Sequence, residues 1–519
     1  MPDSMLIKRF FTSVLLLLFM AAYPAAARTL YLAPDGDDSA GCEQGARFAT
    51  LARAIECLAA GDTLMIEDGE YAGGVVVGAQ GTASSPVLIR GRSLNAVIDG
   101  SPEGIDALRI QEASYVNVEN LTVRNGGRAG MAIRFSNHVR VSGCLITSNN
   151  TWGIFTSFTD DLTIENCEAC SSKVQHGIYH SNSGDRFVIR GNHIHHNNGC
   201  GIHMNGDPEI QGGDGVLNEG LIERNHVHHN GNGGGGAINM THVHDAIVRN
   251  NVVHHNTANG ITVYQDTGTF EQGSKRILIT GNTVYFANHE GRCCVNIQTT
   301  SEKVAAVGNI FVSGGSRGNL QVDSEHLSSI KTDYNLYWGA EESRFVERND
   351  NDVSLTTWRN DTKNDSHSLR ADPLFGNIEG YDFVPADSSP AVDAAAPFDT
   401  VRAIVERLGG TEWLLERLDS LAREDFNGNV RPSGRAPDIG AYEIGASLQS
   451  SWDFNGDRRI SVADALVVLL KGLRGKGGSM YDIDGDGECS IADVVSLLRL
   501  MVSGAIVHGQ EEVRLVLSR

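Results

Sequence analysis

Two short acidic stretches carry the most specific chemistry in this 519-residue sequence. DFNGDRRISVAD occupies 453–464, and DIDGDGECSIAD occupies 482–493, 29 residues further on. In the first, Asp453, Asn455, Asp457, Ser461 and Asp464 fall at loop positions 1, 3, 5, 9 and 12. Asp482, Asp484, Asp486, Ser490 and Asp493 take the same positions in the second. Calcium takes about six to eight hard oxygen ligands from a tight loop, and this spacing supplies them. Each loop is followed by an apolar stretch read as a helix. A second pattern is histidine-rich: HIHHNN, HVHHNG and VVHHNT. It puts His195, His228 and His254 at one place in successive units, where they could stack as a surface column. A bound metal is one reading. The other is that solvent-facing strand positions tolerate His and that Asn follows as a turn residue. There is no Cys-x-x-Cys with a matching His pair, so no zinc site is read.

These residues sit in a chain with the marks of export. Lys8 and Arg9 precede an apolar run, Phe10–Met20, and then Ala25–Ala27. That is the pattern of a signal peptide over residues 1–27, with a run too short to span a bilayer comfortably and no later stretch that is long enough. The expected location is extracellular or cell-surface. All nine cysteines follow this segment, and the odd count leaves at least one thiol unpaired in an oxidising compartment. Cys42 and Cys57 are the best pair; Cys293 and Cys294 are adjacent, so a bridge between them would be strained. The formal charge of −22 repels nucleic-acid phosphates and anionic membranes. It serves solubility, and acidic groups holding calcium are the sharper reading.

The elements that position the chemistry come from an internal repeat. GMAIRFSNHVRVSGCLITSNN, GIFTSFTDDLTIENCEACSS and GIYHSNSGDRFVIRGNHIHHNN each open with Gly and a short strand. A turn, an apolar strand, an Asn and another short strand follow. One equivalent position falls at Leu121, Cys144, Cys167, Asn192, Asn225, Asn251, Asn282 and Asn309, in steps of 23, 23, 25, 33, 26, 31 and 27. Such units make three short strands and three turns, one coil of a parallel β-helix. The recurring Asn can bond to its own kind and to turn backbone inside the stack. Longer steps mark inserted loops, the largest after Asp207. Ala49–Ala59 reads as a short amphipathic helix capping the open end of the stack. Residues 400–424 read as a helical insertion before the closing segment.

On these motifs, with YLAPDGDD at the start and SPAVD and DIGAYE at the end, residues 29–445 resemble the pectate-lyase-like right-handed β-helix superfamily. The paired loops, with Asp at position 12, resemble dockerin domains. That resemblance implies a cohesin-like partner and attachment to a polysaccharide-degrading system. The first loop departs from the pattern at Arg458 and the second at Cys489, which puts the partner rather than the calcium in doubt. The expected architecture is mainly β. A signal peptide (1–27) precedes a right-handed parallel β-helix (28–445) and a linker (446–452). A small α-helical, EF-hand-like, dockerin-like calcium module (453–503) and a tail (504–519) follow.

The resemblance places a groove along the strand that opens each coil. If the Ile after each opening Gly points in, alternation turns Arg134, Phe155, Ser157, Tyr179, Ser181, His203, Asn205, Thr262 and Tyr264 outward. Lys173 and His176 lie in the turn just before this face. His180 follows closely, although strict alternation turns it inward. Lys173, His176, Tyr179, His203 and Arg134 form the expected catalytic set, with His180, Asn205 and Tyr264 binding substrate. The set holds cations, imidazoles and a phenol but no carboxylate. Glycoside hydrolysis usually needs two facing carboxylates. Asp160-Asp161 before Gln175-His176-Gly177 only loosely echoes a polygalacturonase pattern. β-Elimination from a uronate needs a base for the proton α to the carboxylate and cations for the resulting anion. Lys173, His176, His203 or Tyr179 could be the base, with Arg134, or a calcium on Asp160, Asp161, Asp185 or Asp207, neutralising charge. The favoured expectation is a lyase on an extracellular acidic polysaccharide. A hydrolase and a non-catalytic binder or adhesin are the alternatives.

Overall fold

The computed structural model describes residues 27–445 apart from 287–289, 299, 323–324, 326 and 422. The expected signal peptide, most of which is residues 1–26, and both acidic loops, Asp453–Asp464 and Asp482–Asp493, therefore lie outside the described residues.

The described chain winds into a parallel β-solenoid of eleven coils, each giving one strand to each of three long sheets. The back sheet holds 14 strands, and the histidine-bearing and trough sheets hold 12 each. One-residue alternation sets the register. On the trough sheet Met131, Ile154, Ile178, Ile202, Ile238 and Ile261 pair in succession and are all completely buried. Their neighbours therefore face outward in equally regular columns.

Two asparagine ladders hold the pitch. Asn192, Asn225, Asn251, Asn282, Asn309 and Asn335 stand in one column, each amide nitrogen within 2.9–3.0 Å of the next Asn oxygen. Each oxygen also accepts a backbone N–H from the coil before, as for Asn192 N to Asn225 Oδ1 at 3.1 Å. Each side-chain amide of this column is thereby satisfied. The residue just ahead of the ladder takes a left-handed conformation, as at Gly191 (φ 63°), Arg224 (54°) and Gly281 (63°), which turns the chain sharply into the next strand. Cys144 and Cys167 continue the column with thiols directed at carbonyls 3.3–3.8 Å away. A second ladder, Asn197–Asn230–Asn256, stands between the histidine-bearing and trough sheets.

The expected helix between Ala49 and Ala59 is Leu51–Glu56, with Thr50 accepting from the Arg53 amide, and Leu51 and Ala54 cover the core. Cys42 and Cys57 form the disulfide, with Cα atoms 5.3 Å apart, while Cys293 and Cys294 are free and buried. A second cap, absent from the sequence expectation, is Leu355–Thr362, whose buried Trp358 donates to Asp365 at 2.9 Å. The helical insertion is two helices, Phe398–Arg407 and Glu412–Ser420, packed on the back sheet against Leu221, Ile247 and Leu278. The closing segment runs back along the histidine-bearing sheet, where Gly440 donates to Gly308 O at 2.9 Å and Phe383 is completely buried. Among the described residues no helix is long and apolar enough to cross a membrane.

Candidate functional site

The outer face of the trough sheet is two parallel columns. One runs Arg109, Ala132, Phe155, Tyr179, His203, Asn239 and Thr262. The other runs Gln111, Arg134, Ser157, Ser181, Asn205, Thr241 and Tyr264. Every residue expected to face outward lies in these columns. The trough is open around Arg134, Tyr179 and His203, which are partly exposed, and narrows beyond, where Asn239 and Thr262 are buried.

Its floor is aromatic. Trp152 stacks on Phe155 with centroids 4.7 Å apart, and Phe155 meets Tyr179 at 5.7 Å. The Trp152 indole N–H is fixed by Gln175 Oε1 at 2.7 Å. One end is cationic. Arg109 and Arg128 share the single carboxylate of Asp106, at 2.8 and 2.7 Å, and Arg128 also lies over the Phe155 ring. Arg134 stands beside them with its Nε buried and no protein partner. Burial, and then the charges of Arg128 and Arg109, push its pKa down from the usual guanidinium value. Three guanidiniums against one carboxylate make a locus for anions.

Beyond the aromatic floor, three strands from Arg134, lies a hydrogen-bonded imidazole pair. The Cys200 backbone N–H donates to His176 Nδ1 at 2.9 Å. A neutral imidazole has one N–H, so that of His176 sits on Nε2, 3.1 Å from His203 Nδ1. His203 then carries its own hydrogen on Nε2, an atom that is buried without a partner. Burial lowers His176 to about 4 and, with His176 adding repulsion, drives His203 down further, so both are neutral near pH 7. In this tautomer neither ring turns a free lone pair toward the trough, unlike the expected imidazole base: His203 presents an N–H, and His176 orients it. Tyr179 stacks on His203 at 5.2 Å and accepts from Asn205 Nδ2 at 3.2 Å; burial raises its phenol above the usual value. Tyr264, further along, accepts from Asn239 Nδ2 at 3.2 Å.

His180 is a correction. It is completely buried, bonded to Thr156 Oγ1 at 2.6 Å and packed on Phe187, so it does not reach the trough. Strict alternation wins over proximity in sequence. Lys173 is exposed in the turn that leads to His176. Of the carboxylates considered for calcium, Asp161 is taken up at both oxygens by Arg186, at 2.7 and 2.9 Å. Asp160 accepts from the Asp185 amide at 2.9 Å, Asp185 accepts from Asn218, and Asp207 accepts from the Glu209 amide at 3.0 Å. His176, Cys200 and His203 bring metal-binding atoms together, but burial pushes the Cys200 thiol up to about 12 and His176 Nδ1 is committed to an amide. The sequence reading missed Trp152, Gln175, Arg109 and Arg128. The aromatic residue immediately before an opening Gly153 was the available signal for the first.

Comparison with known proteins agrees with this architecture. The sequence pattern of the family described as "Right handed beta helix region" matches residues 71–212 and 175–332, which together span half of the chain. An uncharacterized protein of Bacillus subtilis (strain 168), YwoF, is 25% identical over 445 residues, covering 70% of this chain and 92% of that protein. The crystal structure of pectate lyase Pel9A superposes with a TM-score of 0.51 at 13% identity, covering 80% of this chain and 97% of that one. A structure titled "Glycoside hydrolase" gives 0.45 at 10% identity, covering 62% and 95%. At 13% identity the likeness to the pectate lyase is one of fold.

Proposed function

This chain belongs to the right-handed β-helix family, and from that premise we propose that its trough is the active site of an exported lyase that cleaves an acidic, uronate-containing polysaccharide by β-elimination. One observation carries the reading. Arg134 Nε, His203 Nε2, Asn205 Oδ1 and Thr262 Oγ1 all lie on this face, buried and without a protein partner. Buried polar atoms ordinarily find partners, and a strip of orphans beside an aromatic floor suits a hydroxyl-rich ligand. The arginine-rich end suits its carboxylates.

The chemistry follows from what each group can still do. The His203 N–H holds the carboxylate of the reacting uronate and stabilises the charge that builds on it as the α C–H bond breaks, while Arg134, three strands away, holds the carboxylate of another sugar of the same polymer. His176 is fixed at both ring nitrogens, His203 offers a hydrogen, and Tyr179 keeps its proton. Lys173 is the remaining candidate to accept the α proton. The carbon–carbon double bond forms as the glycosidic C–O bond breaks, and Tyr179 donates a proton to the departing oxygen. In the two columns the carboxylates among the described residues are Glu347 and, opposite it on the last antiparallel strand, Asp352. They are paired with Arg317 at 3.2 Å and Arg344 at 3.0 Å and stand five strands or more beyond His203, so the pair that hydrolysis would use is away from the cationic and imidazole groups.

A screen of uronate polymers tests the proposal. Wild type is expected to release unsaturated products that absorb in the ultraviolet. Tyr179→Phe and Lys173→Ala should each lose about 100-fold or more in kcat, the usual contribution of a proton-transfer group. Arg134→Ala should act mainly on KM. New reducing ends without absorbance would make the protein a hydrolase, and binding without turnover would make it a carbohydrate-binding protein. Full activity in all three variants would remove the site from the trough.

A further inference from the structure

The three histidine strings build a second polar assembly on a different face. The strands His193–His195, His226–His228 and Val252–His254 lie side by side in register. Their central residues, Ile194, Val227 and Val253, are completely buried in the core, so the flanking side chains face outward. The next residue in each coil, His196, His229 or His255, takes a left-handed conformation with φ of 55°, 53° and 49°. Histidine tolerates that region better than most residues. The bend sets the second ring nearly perpendicular to the first, at 90°, 86° and 87°. It also brings their Nδ1 atoms to 2.8, 2.7 and 2.7 Å.

The asparagine ladders keep the coils in register, so the rings stack along the solenoid. His195 lies 5.1 Å from His228 at 3°, and His228 lies 4.8 Å from His254 at 8°. Diagonal pairs close the network: His193 Nε2 is 2.7 Å from His228 Nε2, and His226 Nε2 is 2.7 Å from His254 Nε2. The column expected from sequence is therefore present, but it is not a surface column throughout. His254 is completely buried, with Phe383 at 4.7 Å and Tyr381 at 4.9 Å packed over it. The other end is open, where Glu168 and Cys170 face His195.

The solenoid does not need these rings. One and two coils earlier, the same positions are filled by Glu168, Cys170 and Ser171, and by Leu145, Thr147 and Ser148. The backbone path and pairing are the same there. What the histidines add is a set of facing nitrogens, each pair with room for one hydrogen. A tetrahedral zinc ion bound at about 2.0–2.1 Å holds its nitrogens about 3.3 Å apart, so facing rings need part by only about half an ångström.

We propose that His193, His226 and His228, whose ligand nitrogens lie within 4.8 Å of one another, bind a first-row divalent transition-metal ion of the zinc or copper class. Imidazole donors select that class over calcium and magnesium, which want oxygen. The ion enters past Glu168, Cys170 and His195, a second group of donor atoms within the same 4.8 Å limit at the open end. This site is separate from the trough: His195 and His203 lie on one coil but on different sheets.

The full chain, stripped with a chelator and returned to excess calcium to fill oxygen sites, is titrated with Cu2+. Electron paramagnetic resonance of the wild-type complex should show hyperfine coupling to several imidazole nitrogens at about one equivalent. The double variant His193→Gln/His226→Gln should bind Cu2+ and Zn2+ at least about 10-fold more weakly. Cys200→Ala, which removes the thiol beside His176 and His203, should bind as wild type does. An oxygen-dominated spectrum in wild type overturns the proposal whatever the variants do. So does unchanged affinity in the double variant, or a loss caused by Cys200→Ala.

Discussion

The trough and the histidine face are two outer surfaces of the same coils, built by the same alternation and held by the same ladders, yet their polar atoms are arranged oppositely. On the trough, Arg134 Nε, His203 Nε2 and Asn205 Oδ1 are left without partners. On the histidine face, ring nitrogens pair with one another at 2.7–2.8 Å. A solenoid thus fixes only where side chains stand. Whether a column awaits an extended ligand or closes on itself depends on which residues fill it. Unsatisfied donors beside stacked aromatic rings suit a polymer that brings its own hydroxyls and carboxylates. Facing imidazoles suit an ion.

The change expected to do most damage breaks both faces at once. Asn230 stands in the ladder between them, accepting from the Asn197 N–H at 3.0 Å and from Asn197 Nδ2 at 2.9 Å. Asn230→Leu removes the oxygen that takes both bonds and leaves the buried Asn197 backbone N–H unpaired, while Asn197 Nδ2 keeps the Ala169 and His195 carbonyls. At about 1–3 kcal/mol for one orphaned group, a loss of that size is expected in chemical or thermal unfolding. A cost under about 1 kcal/mol would mean that strand pairing alone holds the columns in register.

A smaller effect comes from pH and probes the trough side. Burial lowers His176 to about 4 and His180 to about 3, against 6.5 for a free histidine. Between these values the unfolded chain binds protons that the folded chain refuses. The stabilisation is complete above about pH 6.5 and is lost as the pH falls toward 4, at up to about 1.4 kcal/mol per pH unit for each such histidine. His180→Asn should flatten this acid limb of the stability curve. If the slope is unchanged, His180 is not held neutral by its buried position.

Much of this was legible in the sequence because a two-residue period and a repeating Asn leave little freedom. The outward set from Arg134 to Tyr264 follows once one Ile per coil is assigned inward, and the column of ladder positions follows from the steps between Asn residues. His180 shows the limit of reading by proximity: it neighbours Tyr179 and Ser181, but the alternation that exposes Tyr179 must bury it. The tautomer of His203 was not legible. It depends on the Cys200 amide, 24 residues from His176, and such a contact exists only after the coils stack. The perpendicular histidine pairs were hidden for a related reason. The string HH names two rings, and only the left-handed turn at the second one brings their nitrogens together.

The smallest expected effect bears on the trough floor. Trp152 stacks on Phe155 and is held by Gln175, but it offers no group for proton transfer or charge. If the aromatic strip serves to seat sugar rings, Trp152→Ala should raise KM several-fold, about the 0.5–1.5 kcal/mol that one aromatic contact contributes, with kcat little changed. Gln175→Ala frees the indole without removing it and should give a weaker version of the same change. A fall in kcat at constant KM would instead place Trp152 among the groups that orient the reacting carbon. The line between binding floor and reacting end would then have to move from Tyr179 toward the cationic end of the trough.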